Sequence, residues 1–269
     1  MRIDPSPQRP VVSGYRAEQV WLPFSENLTE WNVESHVLML DDQLRMAAYS
    51  AAIAETVKPG DVVLDLGTGT GILGLLALRN GASRVYGVDL NPDILALAEK
   101  RLRNAGYGDR FTAIKGLSYE VALPERVDVI ISELMGNISD NEDFVPILAD
   151  ARRRFLKAGG LLIPCDVETY LVPVSAEKAH AQVHLGMCQG LGAHGSLDQA
   201  LARLGVQSRF DCYYDAIIPR SAYLSAPRLI KRFALDGSDS SFYQRSLCYA
   251  ISDRGVFTGF KGYFRTSWT

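Results

Sequence analysis

The sequence predicts an α/β fold in two parts: a parallel sheet with helices on both faces, then a mostly antiparallel β-rich part with a helical insertion. Three observations predict it. Between residues 62 and 164, short apolar β-branched runs alternate with segments of helical spacing, as in a sheet covered on both faces. After Pro164 the apolar residues recur at every second position between glycine or Asp-Gly punctuation, the pattern of antiparallel strands. A chain of 269 residues, 47% hydrophobic and 22% charged, is long enough for one large core or a core plus a smaller second one.

Residues 1–34 read as an irregular N-terminal segment with apolar anchors at Trp21, Phe24 and Trp31, and 38–56 has helical spacing. The alternation then predicts strand 62–66, helix 72–80, strand 84–89, helix 93–104, strand 111–115, strand 127–132, helix 143–157 and strand 160–164. Asn91-Pro92-Asp93 opens the second of these helices with a capping side chain and a proline suited to a first turn. Strands are expected at 167–174, 209–219, 246–251 and 256–268. Residues 175–207 form a helix-rich insertion interrupted by Gly186, Gly190, Gly192 and Gly195. The domain reading is an N-terminal segment 1–34, a cofactor domain 35–164, and a barrel-like domain 165–269 whose helical arm covers about 175–207.

The first strand ends in chemistry. Val62-Val-Leu-Asp65-Leu-Gly67-Thr-Gly69-Thr-Gly71 is an apolar run, an acid and a three-glycine turn leading directly into a helix. In open parallel sheets ligands bind beyond the carboxyl ends of the strands, and glycines at 67, 69 and 71 let the backbone approach them. A dinucleotide fingerprint needs glycine at its first, third and sixth positions, and the sixth here is Ile72, so the turn is read as built for S-adenosylmethionine (SAM). Asp89 closes the next strand about twenty residues on, the offset at which a carboxylate accepts both ribose hydroxyls. Asp65 either contacts the cofactor's amino group or braces the turn.

A net charge of -3 and a pI near 5.8 give no electrostatic footprint for nucleic acid and suit a basic substrate. Residues 1–14 show no basic-then-apolar signal pattern and no stretch is long enough to span a bilayer, so a cytoplasmic protein without a membrane partner is expected. Cys165, Cys188, Cys212 and Cys248 lie far apart and are expected to be reduced and mostly buried. His180, His184 and Cys188 recur every fourth residue as zinc ligands on a helix would, but the His-Glu-x-x-His pattern is absent and no metal is assigned. Phe257, Phe260, Tyr263 and Phe264, spaced with glycines, are expected in the core of the β-rich part.

The substrate reading comes from Ser132-Glu133-Leu-Met-Gly136-Asn-Ile-Ser-Asp-Asn-Glu142. Glu133 leaves the fourth strand on the same sheet edge as the glycine turn, and a loop of this length can fold back to bring Glu142 to it. A neutral acceptor beside a sulfonium needs no pair of carboxylates. A guanidinium does, because it stays protonated and presents a planar fork of donors that carboxylates bind bidentately.

This loop resembles the double-glutamate loop of the protein arginine N-methyltransferases, SAM-dependent enzymes with a Rossmann-like methyltransferase domain. The resemblance extends to His36, Met39-Leu40-x-Asp42-x-x-Arg45 and Tyr49, to Val127-Asp128-Val129 and to Gly159-Gly160-x-x-Ile163-Pro164, and covers roughly residues 35–175. It implies that Glu133 and Glu142 are catalytic, that Arg45 pairs with the methionine carboxylate of SAM, and that His36 and Met39 line the methyl-transfer end. It also implies a β-barrel with a helical dimerisation arm, so a homodimer is expected, the stripe Leu197, Ala200, Leu201 and Leu204 packing on a second subunit. The sequence departs from the family in three places. No paired aromatic motif matches 26–35; Tyr119 stands at the adenine-binding acid, with Ser118, taken as a cofactor contact, and Glu120 beside it; and Ser267-Trp268-Thr269 contains no Thr-His-Trp. A bacterial-type or C-terminally shortened member, or a pocket closed differently, would account for the last.

The expected function is methyl transfer from SAM to a guanidino nitrogen of a protein arginine, free arginine or a small guanidino compound. The alternatives are a lysine or amine N-methyltransferase of the ribosomal-protein type, which shares Leu-Asp-x-Gly-Thr-Gly but predicts an Asn-led motif at 133–136, and a catalytically inactive SAM-binding scaffold.

Overall fold

A computed structural model describes residues 16–24 and 42–268. A short strand Val20–Pro23 (β1) is followed by helix Gln43–Thr56 (α1), then by Val62–Leu66 (β2), Ile72–Arg79 (α2), Arg84–Asp89 (β3), Pro92–Asn104 (α3), Phe111–Lys115 (β4), Val127–Ser132 (β5), Phe144–Phe155 (α4) and Leu156–Ile163 (β6). Strands β2 to β6 form one parallel sheet in the order β4-β3-β2-β5-β6. The chain runs outward through β3 and β4, then crosses back to β5, which makes β2 and β5 the switch point beside which ligands of open α/β sheets bind.

Burial explains why β2 reads as an unbroken apolar run. All five of its residues are buried, and successive side chains enter different cores. Leu64 packs with Tyr86, Ile130, Phe144 and Phe155 on the α4 face, while Val63 packs with Ile53, Leu73, Leu102 and Ile131 on the face covered by α1, α2 and α3. Helix α3 starts as its sequence predicts: the Asn91 side chain accepts from the Asp93 and Ile94 amides with Pro92 in the first turn, a cap typically worth about 1 kcal/mol.

The second half comprises Asp166–Val174 (β7), Glu177–His184 (α5), Leu197–Arg203 (α6), Tyr214–Ala216 (β8), Arg228–Phe233 (β9) and Gly259–Ser267 (β10). Strands β10-β7-β9 make an antiparallel sheet and β1-β8 a separate two-stranded one, so among the described residues no closed barrel forms. The mostly antiparallel character and the helical insertion agree with expectation; several details do not. The strand expected at 209–219 shrinks to β8, the one expected at 246–251 does not form, and β1 and β9 carried no sequence signal. Residues 246–251 still alternate in burial, with Leu247 and Tyr249 half-buried and the Tyr249 hydroxyl donating to the Leu171 carbonyl at 2.9 Å. An extended segment with one covered side writes the same period-two pattern as a strand, without ladder hydrogen bonds.

Three further expectations change. Leu197, Ala200 and Leu201 of α6 are buried within their own chain, so that stripe needs no second subunit. Phe257 and Phe260 are 56% and 54% exposed instead of lying in a core, because residues 236–258 form no strand to close a barrel over them. The cysteines are all free as expected, but none is buried and Cys248 is exposed. Among the described residues no cluster could hold a metal, and His180 stacks on Phe210 at 5.0 Å. No helix among them is long and apolar enough to cross a membrane.

Candidate cofactor and substrate site

The glycine turn follows β2 at the switch point. Gly67, Gly69 and Gly71 all have positive φ (71°, 51° and 74°), a conformation open to glycine at little cost. Their surroundings divide the labour. A Cβ on Gly67 would stand 2.8 Å from Leu134 of the loop after β5, so the glycine lets that loop close over the turn. A Cβ on Gly71 would meet Ala98 at 2.9 Å and Leu102 at 2.8 Å, so Gly71 serves the packing of α2 against α3 more directly than ligand approach.

Asp89 ends β3 half-buried beside this turn. Its Oδ2 accepts from the Gly69 amide at 2.9 Å and its Oδ1 from the Asn91 amide at 3.0 Å, which fixes the carboxylate at the sheet edge. Asp65 makes the contacts of a brace: Oδ2 accepts from the Thr68 hydroxyl at 2.7 Å and the Gly74 amide at 2.8 Å, tying strand, turn and helix together. Its Oδ1 is buried without a partner, and burial, against those two hydrogen bonds, pushes the carboxyl up to about 7. Ser118 lies in the loop after β4; its carbonyl and that of Tyr119 accept from Arg154 at 2.9 Å each, which holds that loop against α4. His36 and Met39 lie outside the described residues, as do Trp31 and the start of the helix expected from residue 38.

The neighbouring strand β5 pairs with β2 in a register that sets Ser132 against Leu66, so Glu133 emerges next to the glycine turn. The Tyr49 hydroxyl of α1 donates to the Ser132 carbonyl at 2.8 Å, and Trp268 packs edge-on against Tyr49 at 4.7 Å. Glu133 has a side chain only 13% exposed and holds the Arg45 guanidinium, Nη1 to Oε2, at 3.4 Å; Arg45 also pairs with Asp42 at 3.4 Å. Burial pushes the Glu133 carboxyl above the ordinary glutamate range, Arg45 opposes this, and Asp42 adds to it.

Beyond Glu133 the loop folds back on itself. Gly136 and Ser139 exchange backbone hydrogen bonds at 3.0 and 2.9 Å, and a 3₁₀ turn Asp140–Glu142 then leads into α4. The structure therefore brings Gly67, Gly69, Asp65, Asp89, Arg45 and Glu133 to one sheet edge, with half-buried Glu142 in the turn that closes the same loop. Tyr213, Tyr243 and Thr169, which also touch this loop, belong to no sequence motif.

The parts fit a nucleoside cofactor: a turn of three positive-φ glycines at the switch point of the sheet, with an acid at the ribose offset held beside it. The comparisons agree. A sequence model described as a methyltransferase domain matches residues 63–160. A probable protein arginine N-methyltransferase 6 of Arabidopsis thaliana is 38% identical over 146 residues, 54% of this chain and 33% of that protein. Protein arginine N-methyltransferase 1 of Dictyostelium discoideum is 39% identical over 142 residues, 52% of this chain and 41% of that one. The matches thus span about a third to two fifths of those relatives. In fold, an open conformation of protein arginine methyltransferase 10 of Arabidopsis thaliana superposes with a TM-score of 0.69 at 24% identity, over 87% of this chain and 72% of that one. The Trypanosoma brucei PRMT1 enzyme-prozyme complex with AdoHcy gives 0.61 at 24% identity, over 78% and 64%. Residues 63–160 thus match a methyltransferase domain, and the fold of the chain and the sequence of about half of it resemble those of the protein arginine N-methyltransferases.

Proposed function

We propose that the chain binds SAM through residues of its 35–164 half and transfers a methyl group to a guanidino nitrogen of arginine, in a protein or as a small guanidino compound. The observation that carries this reading is the guanidinium of Arg45 resting on Glu133: the carboxylate after β5 already holds the chemical group that the substrate would present. Gly67 and Gly69 would accommodate the cofactor at the turn, Asp89 its ribose, and Ser118 its adenine side. SAM supplies an electrophilic methyl group on a sulfonium.

Glu133 and Glu142 supply what a cationic acceptor needs there. Two unit charges about 4 Å apart repel by about 4 kcal/mol at an effective dielectric near 20, and two carboxylates offset that repulsion while orienting one nitrogen for in-line attack. Arg45 cannot fully serve both partners. In the role the resemblance gives it, pairing with the methionine carboxylate, it releases Glu133 to the substrate.

Cytoplasmic location is supported by four free cysteines. A homodimer, with the α6 stripe already covered, would use the exposed Leu185 and Met187 of the same insertion and Phe210 just after it. Light scattering of a Leu185→Asp variant should show a monomer; an unchanged dimer, or a monomeric wild type at full activity, counts against the arm.

The deciding experiment incubates the protein with labelled SAM and either free arginine or arginine-rich peptides, followed by mass spectrometry of the acceptor. Methylated guanidine is expected. Methyl on lysine or an amine would put the amine reading first, and SAM binding without transfer would favour the scaffold.

A further inference from the structure

The Asp140–Glu142 turn is held in part by side chains distant in sequence. It is flanked by Ser139 at φ 76° and Asp143 at φ 57°, left-handed positions occupied by side-chain-bearing residues, each costing on the order of 1–3 kcal/mol unless its surroundings enforce it. Within the loop, Asn141 Oδ1 accepts from the Ile138 amide at 3.2 Å. Three further side-chain contacts come from the β-rich half. The Tyr243 hydroxyl donates to Asp140 Oδ2 at 2.8 Å, Asn141 Nδ2 donates to the Tyr213 hydroxyl at 3.2 Å, and the hydroxyls of Ser139 and Thr169 are 2.5 Å apart.

Tyr243 is placed for this. It lies in the strand-free stretch 236–258, most of whose residues are exposed, yet it is half-buried, its ring packed edge-on to Phe233 at 5.9 Å with the Lys231 ammonium 5.8 Å from its centre. Burial and the bond to Asp140 push its hydroxyl well above the ordinary tyrosine range, so it remains a donor throughout the working pH range. Tyr213 is seated similarly, edge-on to Phe24 at 4.7 Å.

We infer that Tyr243, with Tyr213, is a positioning residue for transfer: its hydroxyl fixes the turn that carries Glu142 and so sets where the second carboxylate meets the guanidinium. The inference rests on the guanidinium reading of Glu133 and Glu142. It assigns to the strap 236–258 a part in the reaction although no residue of the strap belongs to the glycine turn or the glutamate loop.

The test is Tyr243→Phe, which keeps the ring packing and removes only the hydroxyl. Amide exchange of residues 137–143, read by mass spectrometry, should accelerate at least about tenfold, and kcat for guanidine methylation should fall about tenfold or more. SAM affinity and melting temperature should change little. Asp140→Ala should behave alike, and the double variant should be no worse than either single one. Unchanged exchange, unchanged kcat, or additive losses in the double variant would overturn the inference. Glu142→Gln, assayed alongside, separates the two layers. If it transfers methyl at the wild-type rate the guanidinium reading fails, and the exchange data then still judge the tyrosine: acceleration supports the latch and its absence refutes it.

Discussion

Replacing Glu133 by glutamine should raise or preserve stability while removing most of the activity, and that opposition of signs makes it a searching experiment. In the folded chain the Glu133 carboxyl is raised above its ordinary value by burial even though Arg45 stands 3.4 Å away, so ionising it costs more than it would in water. For a carboxyl raised in this way, the stabilising contribution is complete at low pH and is lost as pH rises through the folded midpoint. Glutamine keeps the shape and carries no charge to desolvate, so at pH 8 the variant should melt no lower than wild type.

Transfer should move the other way. If a guanidinium about 4 Å from a sulfonium is opposed by about 4 kcal/mol, and two carboxylates share the compensation, losing one returns about 2 kcal/mol, or about thirtyfold in rate. Loss of the bidentate geometry should bring the total to about a hundredfold or more, in the range of other electrostatic site deletions. The assay is kcat with labelled SAM and a guanidine acceptor at pH 8, with calorimetric melting on the same samples and SAM affinity by titration. Wild-type activity should also fall on acidification with a midpoint above the ordinary glutamate value, and the glutamine variant should lack that limb. Near wild-type transfer would refute the clamp, and a large loss of stability with activity intact would make Glu133 a structural partner of Arg45.

Asp89→Ala should weaken SAM binding in titration by about tenfold to a hundredfold, the size of a hydrogen bond to a charged group, and unchanged affinity would remove Asp89 from the ribose site. Asp65, pushed to about 7 by burial, should make the protein lose stability as pH rises from about 4 to about 7, by up to about 4 kcal/mol, and Asp65→Asn should flatten that slope in thermal melts; a wild-type profile flat over this window would contradict the assignment. Gly71→Ala, at φ 74° and against Ala98 and Leu102, should lower stability by about 1–3 kcal/mol through packing, and an unshifted melting temperature would show that α2 and α3 can separate freely.

The parallel sheet was legible because each of its parts writes itself locally. Strands 62–66, 84–89, 111–115 and 127–132 are found at the residues their apolar runs mark, and Asn91-Pro92 starts α3 by chemistry contained in three consecutive residues. The positions of Gly67, Asp89 and Glu133 at one sheet edge were legible for the same reason, since each is a fixed step from a strand end. What was hidden depends on partners distant in sequence. Arg228–Phe233 becomes β9 because β7 is beside it, not because its own residues alternate cleanly, and β1 pairs with Tyr214–Ala216 nearly two hundred residues later. The arm stripe looked unsatisfied because periodicity reveals an apolar face but not what covers it. Tyr213 and Tyr243 were invisible for a related reason: a tyrosine in an irregular stretch carries no spacing signal, and its contact with Asp140 or Asn141 exists only after the chain has folded.

This division between local and distant determinants has a consequence for how the site should fail. The glycine turn, Asp65 and Asp89 are fixed by strands β2 and β3 and by hydrogen bonds between residues close in sequence, so damage there should appear as lost SAM affinity. The turn bearing Glu142 is fixed by Thr169, Tyr213 and Tyr243, between 30 and 103 residues away and all outside the parallel sheet. Damage there should leave SAM affinity near wild type and reduce the rate of transfer. Local unfolding of the β-rich half under mild denaturant should then abolish methyl transfer before it abolishes SAM binding. Loss of both in a single step would mean that the two halves fold as one cooperative unit, with the loop after β5 as their shared core.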